Sequence, residues 1–173
     1  MLRNASLRLR AIDTEDLDML RAWRNDPACY SAFYEFDALS RAQQTAWWEQ
    51  ASARTHQEKN YIIARVQDNT PLGTISLLDI DWRSRNAEVG RMWVAPAYQR
   101  QGVARQALGL LLAYALGHLG LRKLWLEVLA DNHAAVALYQ QAGFVQELTL
   151  RAHVFKHGQF CDVWVMAYMT AYE

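Results

Sequence analysis

The chain has little lysine, little cysteine and no long uninterrupted apolar run. Three Lys stand against fifteen Arg, and eighteen basic residues balance eighteen acidic ones to a formal net charge of zero. That balance argues against a general nucleic-acid coat or a polybasic membrane patch, since both rest on net positive charge. A local basic site stays open, and Arg suits bidentate phosphate binding. Only Cys29 and Cys161 occur, far apart and in no metal-like spacing, which reads as a reduced, cytoplasmic protein. The five His are scattered without a His-Glu-x-x-His, so no metal site is expected. The longest apolar run, Ala107 to Leu116, is too short to cross a bilayer, and the start, Met-Leu-Arg-Asn-Ala-Ser, has no apolar signal core. What is plentiful is core-forming material: 52% hydrophobic residues against 21% charged, a globular composition. The 173 residues fit one domain, 1–173, with no repeat or linker.

Hydrophobic periodicity and turn residues set the elements. Leu7, Leu9 and Ala11 alternate with Arg8 and Arg10 as a short strand. Thr14, Asp16 and Asp18 open a helix to about Trp23, stopped by Asn25-Asp26-Pro27. Ser40 caps a second helix over roughly 41–55 that carries Trp47 and Trp48. Tyr61 to Val66 and Leu72 to Leu78, split by Asp68-Asn69-Thr70-Pro71, form a hairpin. Glu88 to Val94 is a strand, Val103 to His118 a long apolar helix, and Leu124 to Leu129 another strand. Asn132 caps a helix over His133 to Gln141 that ends at Ala142-Gly143. Two last strands flank Lys156-His157-Gly158-Gln159. The mixed order argues for an α/β sheet, partly antiparallel and partly parallel.

Two segments carry chemistry. In Val94 to Ala104 a strand ends, a short loop turns and a helix begins at Gly102, between Arg100 and Arg105. Free N–H groups and the dipole at a helix N-terminus bind phosphate oxygens, and Gly102 and Ala104 allow close approach. An ordinary strand–loop–helix turn fits the same spacing. It is neither a Walker A loop nor a Gly-x-Gly-x-x-Gly fingerprint, which argues against ATP hydrolysis and a dinucleotide fold. In the second segment, Leu126 to Phe144, Ala135, Leu138, Tyr139 and Ala142 share one helical face. Tyr139 is then either a core aromatic whose hydroxyl needs a partner or a proton donor facing a cleft.

Together, Gln99 to Ala104, then Asn132, Tyr139, Gly143 and Phe144 after an intervening strand, resemble the GNAT superfamily of acyl-coenzyme A N-acyltransferases. The resemblance runs from the Leu7 strand to the Met169 strand. It implies an α/β fold: a mixed, partly parallel sheet of about seven strands with a splayed central pair, Glu88–Val94 and Leu124–Leu129, flanked by about four helices. It implies acetyl-coenzyme A as cosubstrate, with its pyrophosphate on Gln99, Arg100, Gln101, Gly102, Val103, Ala104 and Arg105. The pantetheine arm would meet the backbone of Met92, Trp93 and Val94, and also Asn132. Tyr139 matches the acid that protonates the leaving thiolate. Ala135 departs from the polar residue of many members, and Arg91 replaces a frequent aromatic. Ala87-Glu88-Val89-Gly90 resembles the Ala-Glu-x-Gly of many relatives. An alkylammonium titrates near ~10.4, so a base or a water path must take its proton, and Glu88 is the candidate, acting directly or through water. A surface carboxylate in a strand-edge salt bridge is the alternative for Glu88.

The acceptor is a small-molecule amine, not nucleic acid or membrane. Trp23, Arg24, Trp47 and Arg91 are its candidate contacts. The phrases around Trp23, Trp47-Trp48, Leu78 to Asp81 and Arg151 to Val163 look like the branch acting on UDP-linked 4-amino sugars. Aromatic faces would stack, and Arg24, Arg91 or Arg151 would meet the diphosphate. A polyamine acetyltransferase is the alternative and calls for acidic groups, with Glu35, Asp37 and Glu49 available. A protein N-terminal acetyltransferase is another, needing an open groove. An acyl-coenzyme A sensor without turnover is the reading from a different class, and the retained Glu88 and Tyr139 weigh against it. Relatives are often dimers, so a homodimer is allowed for.

Overall fold

The computed structural model describes residues 2–30, 33 and 37–170. Seven strands form one sheet: β1 (Leu7–Ala11), β2 (Lys59–Arg65), β3 (Pro71–Asp81), β4 (Asn86–Val94), β5 (Lys123–Leu129), β6 (Val145–Lys156) and β7 (Gln159–Met169). Their order is β1-β2-β3-β4-β5-β7-β6. Every neighbouring pair is antiparallel except β4 with β5, which is parallel. Five helices flank the sheet: α1 (Leu17–Arg24), α2 (Pro27–Tyr30), α3 (Arg41–Ala53), α4 (Val103–Gly117) and α5 (His133–Gln141).

One helix exceeds the expected four. Pro27 does stop α1, but it also starts the single turn α2. Proline suits the first helical position because its fixed φ is preset and its missing N–H would have no partner there. Asp26 Oδ1 accepts the Ala28 N–H at 2.7 Å and anchors the turn. The Ser40 cap holds: its side chain accepts the Gln43 N–H at 3.2 Å, and Gln43 Oε1 accepts the Ser40 N–H at 2.9 Å. The last two strands run further than expected, to Lys156 and from Gln159, because His157 and Gly158 both take positive φ and close a two-residue turn.

The sheet separates two apolar layers. On one face Ile75, Leu77, Val89, Leu124 and Leu126 pack against Leu108 and Leu111 of α4 and Val136 and Tyr139 of α5. On the other, Ile62 and Ala64 pack against Leu17 and Leu20 of α1, with Trp47 and Trp48 of α3 against them. Strand alternation then sorts β4 and β5. Ala87, Val89, Leu124, Leu126 and Val128 face α4 and α5, Trp93 packs with Trp23 of α1 on the other side, and alternation puts Glu88 and Glu127 in the cleft lined also by Trp23 and Trp47.

Two bulges bend the strands that matter. Register slips between Thr74 and Ser76 of β3, where Arg91 on β4 is the extra residue at φ +49. It slips again between Leu78 and Asp81, with Asp79 at φ +46. Across the other edge of β4, pairing with β5 covers only Asn86↔Lys123, Ala87↔Leu124 and Glu88↔Trp125. Beyond Glu88 the two strands part. The splayed pair is therefore real, beginning two residues earlier on β4 and one on β5 than the sequence reading had it. Gly73 lies so close to the Trp93 carbonyl that an added Cβ would collide with backbone. Gly73→Ala is expected to push β3 from β4 at the bulge and to lower unfolding stability by about 3 kcal/mol, read by urea titration.

Candidate active site

The parting of β4 and β5 opens a cleft of about 540 Å³. Its walls include Glu88, Met92 and Trp93 of β4, Glu127 of β5, Asn132, and Tyr139 of α5. Trp23, Arg24, Trp47 and Arg91 also line it, so the expected acceptor contacts converge on this one cleft. Trp48 does not line it; it packs on the α1 layer as an anchor for α3. A second cavity of about 510 Å³ adjoins at the far ends of the strands, bordered by Trp93, Gln99, Asn132 and the β6–β7 turn.

The opening leaves backbone groups for a ligand. Thr74 Oγ1 donates to the Arg91 carbonyl at 2.8 Å, and Ala95 N–H donates to the Leu72 carbonyl at 2.8 Å. Both fix those groups toward β3. Because peptides are trans and planar, the Met92 N–H and the Val94 carbonyl point the other way, into the gap. The Val94 N–H lies on that same side. Gln99 Nε2 takes the Val94 carbonyl at 2.9 Å, tying the following loop to the strand. Gln101 Nε2 donates to the Ala97 carbonyl at 2.9 Å and folds the loop on itself. Arg100, at φ +59, and Gly102, at φ +74, turn the chain sharply into α4, whose first N–H groups at Val103, Ala104 and Arg105 face outward from the helix end. Arg100 and Arg105 are exposed beside it, and residues 100–105 border neither cavity. This arrangement fits a pantetheine arm along β4 and a pyrophosphate at the helix end. Asn132 has a local task too, its Oδ1 accepting the Ala135 N–H at 3.2 Å as the cap of α5.

Tyr139 is a core aromatic whose ring borders the cleft. It is 9% exposed and packs on Phe144 with ring centroids 5.9 Å apart, yet its hydroxyl reaches the cleft wall and donates to Met92 Sδ at 3.8 Å. Burial pushes it up to about 12, so it keeps its proton. Glu88 is not a surface salt-bridge partner. Burial first, then the carboxylates of Glu127 and Asp79, push it up to about 7, against a pull downward from Arg91.

Arg91 is committed elsewhere. Its Nη1 donates to Glu58 Oε2 at 2.8 Å and to Asn60 Oδ1 at 2.7 Å, with the guanidinium 5.4 Å from the Trp47 ring centroid. Glu58 is 5% exposed, so Arg91 neutralises a buried carboxylate. Asp37 and Glu49 are exposed and line neither cavity, and Glu35 lies outside the described residues. The cleft's acidity comes instead from Glu88 and Glu127. Sequence reading missed Glu127, whose signal was its place two residues beyond Trp125 on the splayed strand. Among the described residues no group of His, Cys, Asp and Glu is arranged to hold a metal ion, and no helix is long and apolar enough to cross a membrane.

The sheet opens at its parallel pair, with a turned helix end beyond it and the Tyr139 and Glu88 side chains lining the gap. The chain belongs to the GNAT family: the model described as "Acetyltransferase (GNAT) domain" matches residues 6–145. It is 30% identical over 165 residues to the spermidine N(1)-acetyltransferase of Vibrio cholerae serotype O1, covering 92% of this chain and 91% of that one. It is 32% identical over 108 residues to the ribosomal protein bS18 alanine N-acetyltransferase of Escherichia coli K12, covering 62% and 70%. The crystal structure of the V. cholerae spermidine enzyme with CoA and spermine superposes with a TM-score of 0.89 at 28% identity, covering 96% of both chains. A dodecameric structure of that enzyme superposes at 0.82, with 26% identity over 96% and 95%. The protein is an acetyl-CoA-dependent N-acetyltransferase with acetyl-CoA as cosubstrate.

The folded chain holds the Glu88 proton more tightly than an unfolded one, where Glu titrates near ~4.3. That contribution to stability is present below the unfolded value and lost as pH rises through about 7. Glu88→Gln is expected to raise Tm at pH 8 and to leave it unchanged at pH 4, by calorimetry.

Proposed function

We propose that the acceptor is a polyamine, acetylated by direct transfer while amine and acetyl-CoA are bound together. The observation that carries this is the acidic end of the cleft, lined by both Glu88 and Glu127, while Arg91 is paired with Glu58. A polycation gains from such an end, and a diphosphate is repelled by it. The likeness to the V. cholerae spermidine enzyme supports the same class. The UDP-amino-sugar reading keeps one observation, Arg24 and Trp47 in the outer wall. Phe155 and Phe160, exposed on the β6–β7 hairpin with ring centroids 5.0 Å apart and the rings tilted by 58°, support association between copies.

In the transfer, Glu88 takes one proton from the ammonium and frees its lone pair. The amine nitrogen attacks the thioester carbonyl carbon, and the Val94 N–H in the gap steadies the developing oxyanion. The N–C bond forms, the nitrogen gives its second proton to solvent, the C–S bond breaks, and the sulfur leaves toward the Tyr139 hydroxyl. A free thiol titrates near ~8.5, below this phenol. Yet a thiolate released in the same buried place is penalised by the same desolvation, which narrows the gap. Tyr139 therefore hydrogen-bonds the departing sulfur and passes it a proton that solvent restores. Glu88, ionised above about 7, puts an acid limb there, with kcat/KM rising as pH rises through it.

Coenzyme A thiol release across spermidine, spermine, UDP-4-amino sugars and Ala-starting peptides, with product mass, tests the acceptor. The account expects turnover on spermidine or spermine; turnover on the sugar nucleotide alone contradicts it. Tyr139→Phe is expected to lower kcat about 100-fold with little change in the KM for acetyl-CoA. Unchanged kcat removes Tyr139 from the reaction.

A further inference from the structure

We propose that Glu127 is a positioning residue of this reaction: with Glu88 it forms a two-carboxylate seat for the acceptor ammonium across the opening between β4 and β5. The proposal rests on the amine-acceptor reading above. Strand alternation from the Glu88↔Trp125 pair puts Glu88 and Glu127 on the same face of the sheet, and both line the same cleft. The last parallel rung sets Glu88 beside Trp125. Continuing that register, the residue of β4 level with Glu127 is Gly90, which has no side chain to fill the space. A Cβ built on Gly90 would lie 3.4 Å from Glu88 Oε1, so the Glu88 carboxylate leans forward over Gly90, toward the level of Glu127. The same Cβ would lie 2.5 Å from Leu78 Cδ1, which closes the space from the β3 side.

An ammonium seated there touches two carboxylates. One can take its proton while the other keeps the site negative and holds the amine in line with the gap. Glu127 thus selects acceptors that arrive as cations. The charged groups facing Glu88 are Glu127 from β5, Asp79 from β3 and Arg91 from β4. Glu127 comes first among the charges that oppose its ionisation, so losing Glu127 should let Glu88 ionise at lower pH.

The test is Glu127→Gln in the full chain, with Glu127→Asp as the conservative variant. Removing the carboxylate should raise the KM for the amine 10-fold or more, leave the KM for acetyl-CoA unchanged and move the acid limb of kcat/KM down by about one pH unit. Glu127→Asp should recover most of the KM. Carboxyl-carbon NMR of Glu88 without any substrate should show the same downward movement. That readout needs no acceptor, so it separates failure here from failure of the polyamine reading, which the amine panel decides. An unmoved Glu88 titration overturns the proposal. So does an unmoved amine KM. A lost acid limb with kcat collapsed and KM intact also overturns it, because Glu127 would then itself be the base.

Discussion

The structure turns on one interruption: β4 and β5 pair for three residues and then separate. Backbone N–H and C=O groups inside a sheet are otherwise bonded to a neighbour, and leaving them unpaired in a buried place is costly. Here the bulge at Arg91, held by Thr74 Oγ1 on the Arg91 carbonyl, bends β4 and leaves its far edge open beyond Glu88. The open seam is at once the weakest part of the sheet and the place where a long, amide-bearing arm fits.

The groups proposed to act in catalysis are placed around that seam by ordinary packing. Tyr139 reaches it from the α5 side because α5 packs its apolar face on Phe144 and Met92. Glu88 reaches it from the opposite face because strand alternation leaves it no other direction. Burial moves both groups upward, and the roles proposed for them differ: the phenol is held neutral, while the carboxyl is brought to the range where it can accept a proton and still be ionised. Both roles would be lost in a sheet zipped past Glu88.

Much of the fold was legible in the chain, and the reasons are local. Ser40, Gly102, Asn132 and Gly143 punctuate helices by mechanisms that need only a few neighbouring residues. The turn from Gln99 to Ala104 into α4 was readable because its Gly102 lies in one short stretch. What stayed hidden depends on residues far apart in sequence. Arg91 looked like a cation free for a substrate, and only folding brings Glu58, 33 residues earlier, against it. Glu127 looked like a strand residue until the register set it level with Gly90. The bulges at Asp79 and Arg91 use positive φ at non-glycine positions, so no glycine marked them. The α2 turn was hidden because proline both stops one helix and starts the next.

The most direct measurement is a crystal structure with a non-reactive acetyl-CoA analogue bound. The account predicts the pantetheine arm between β4 and β5, bonded to the Met92 and Val94 backbone, with its sulfur beside the Tyr139 hydroxyl. An arm bound elsewhere, or β4 and β5 paired continuously beyond Glu88, would contradict it.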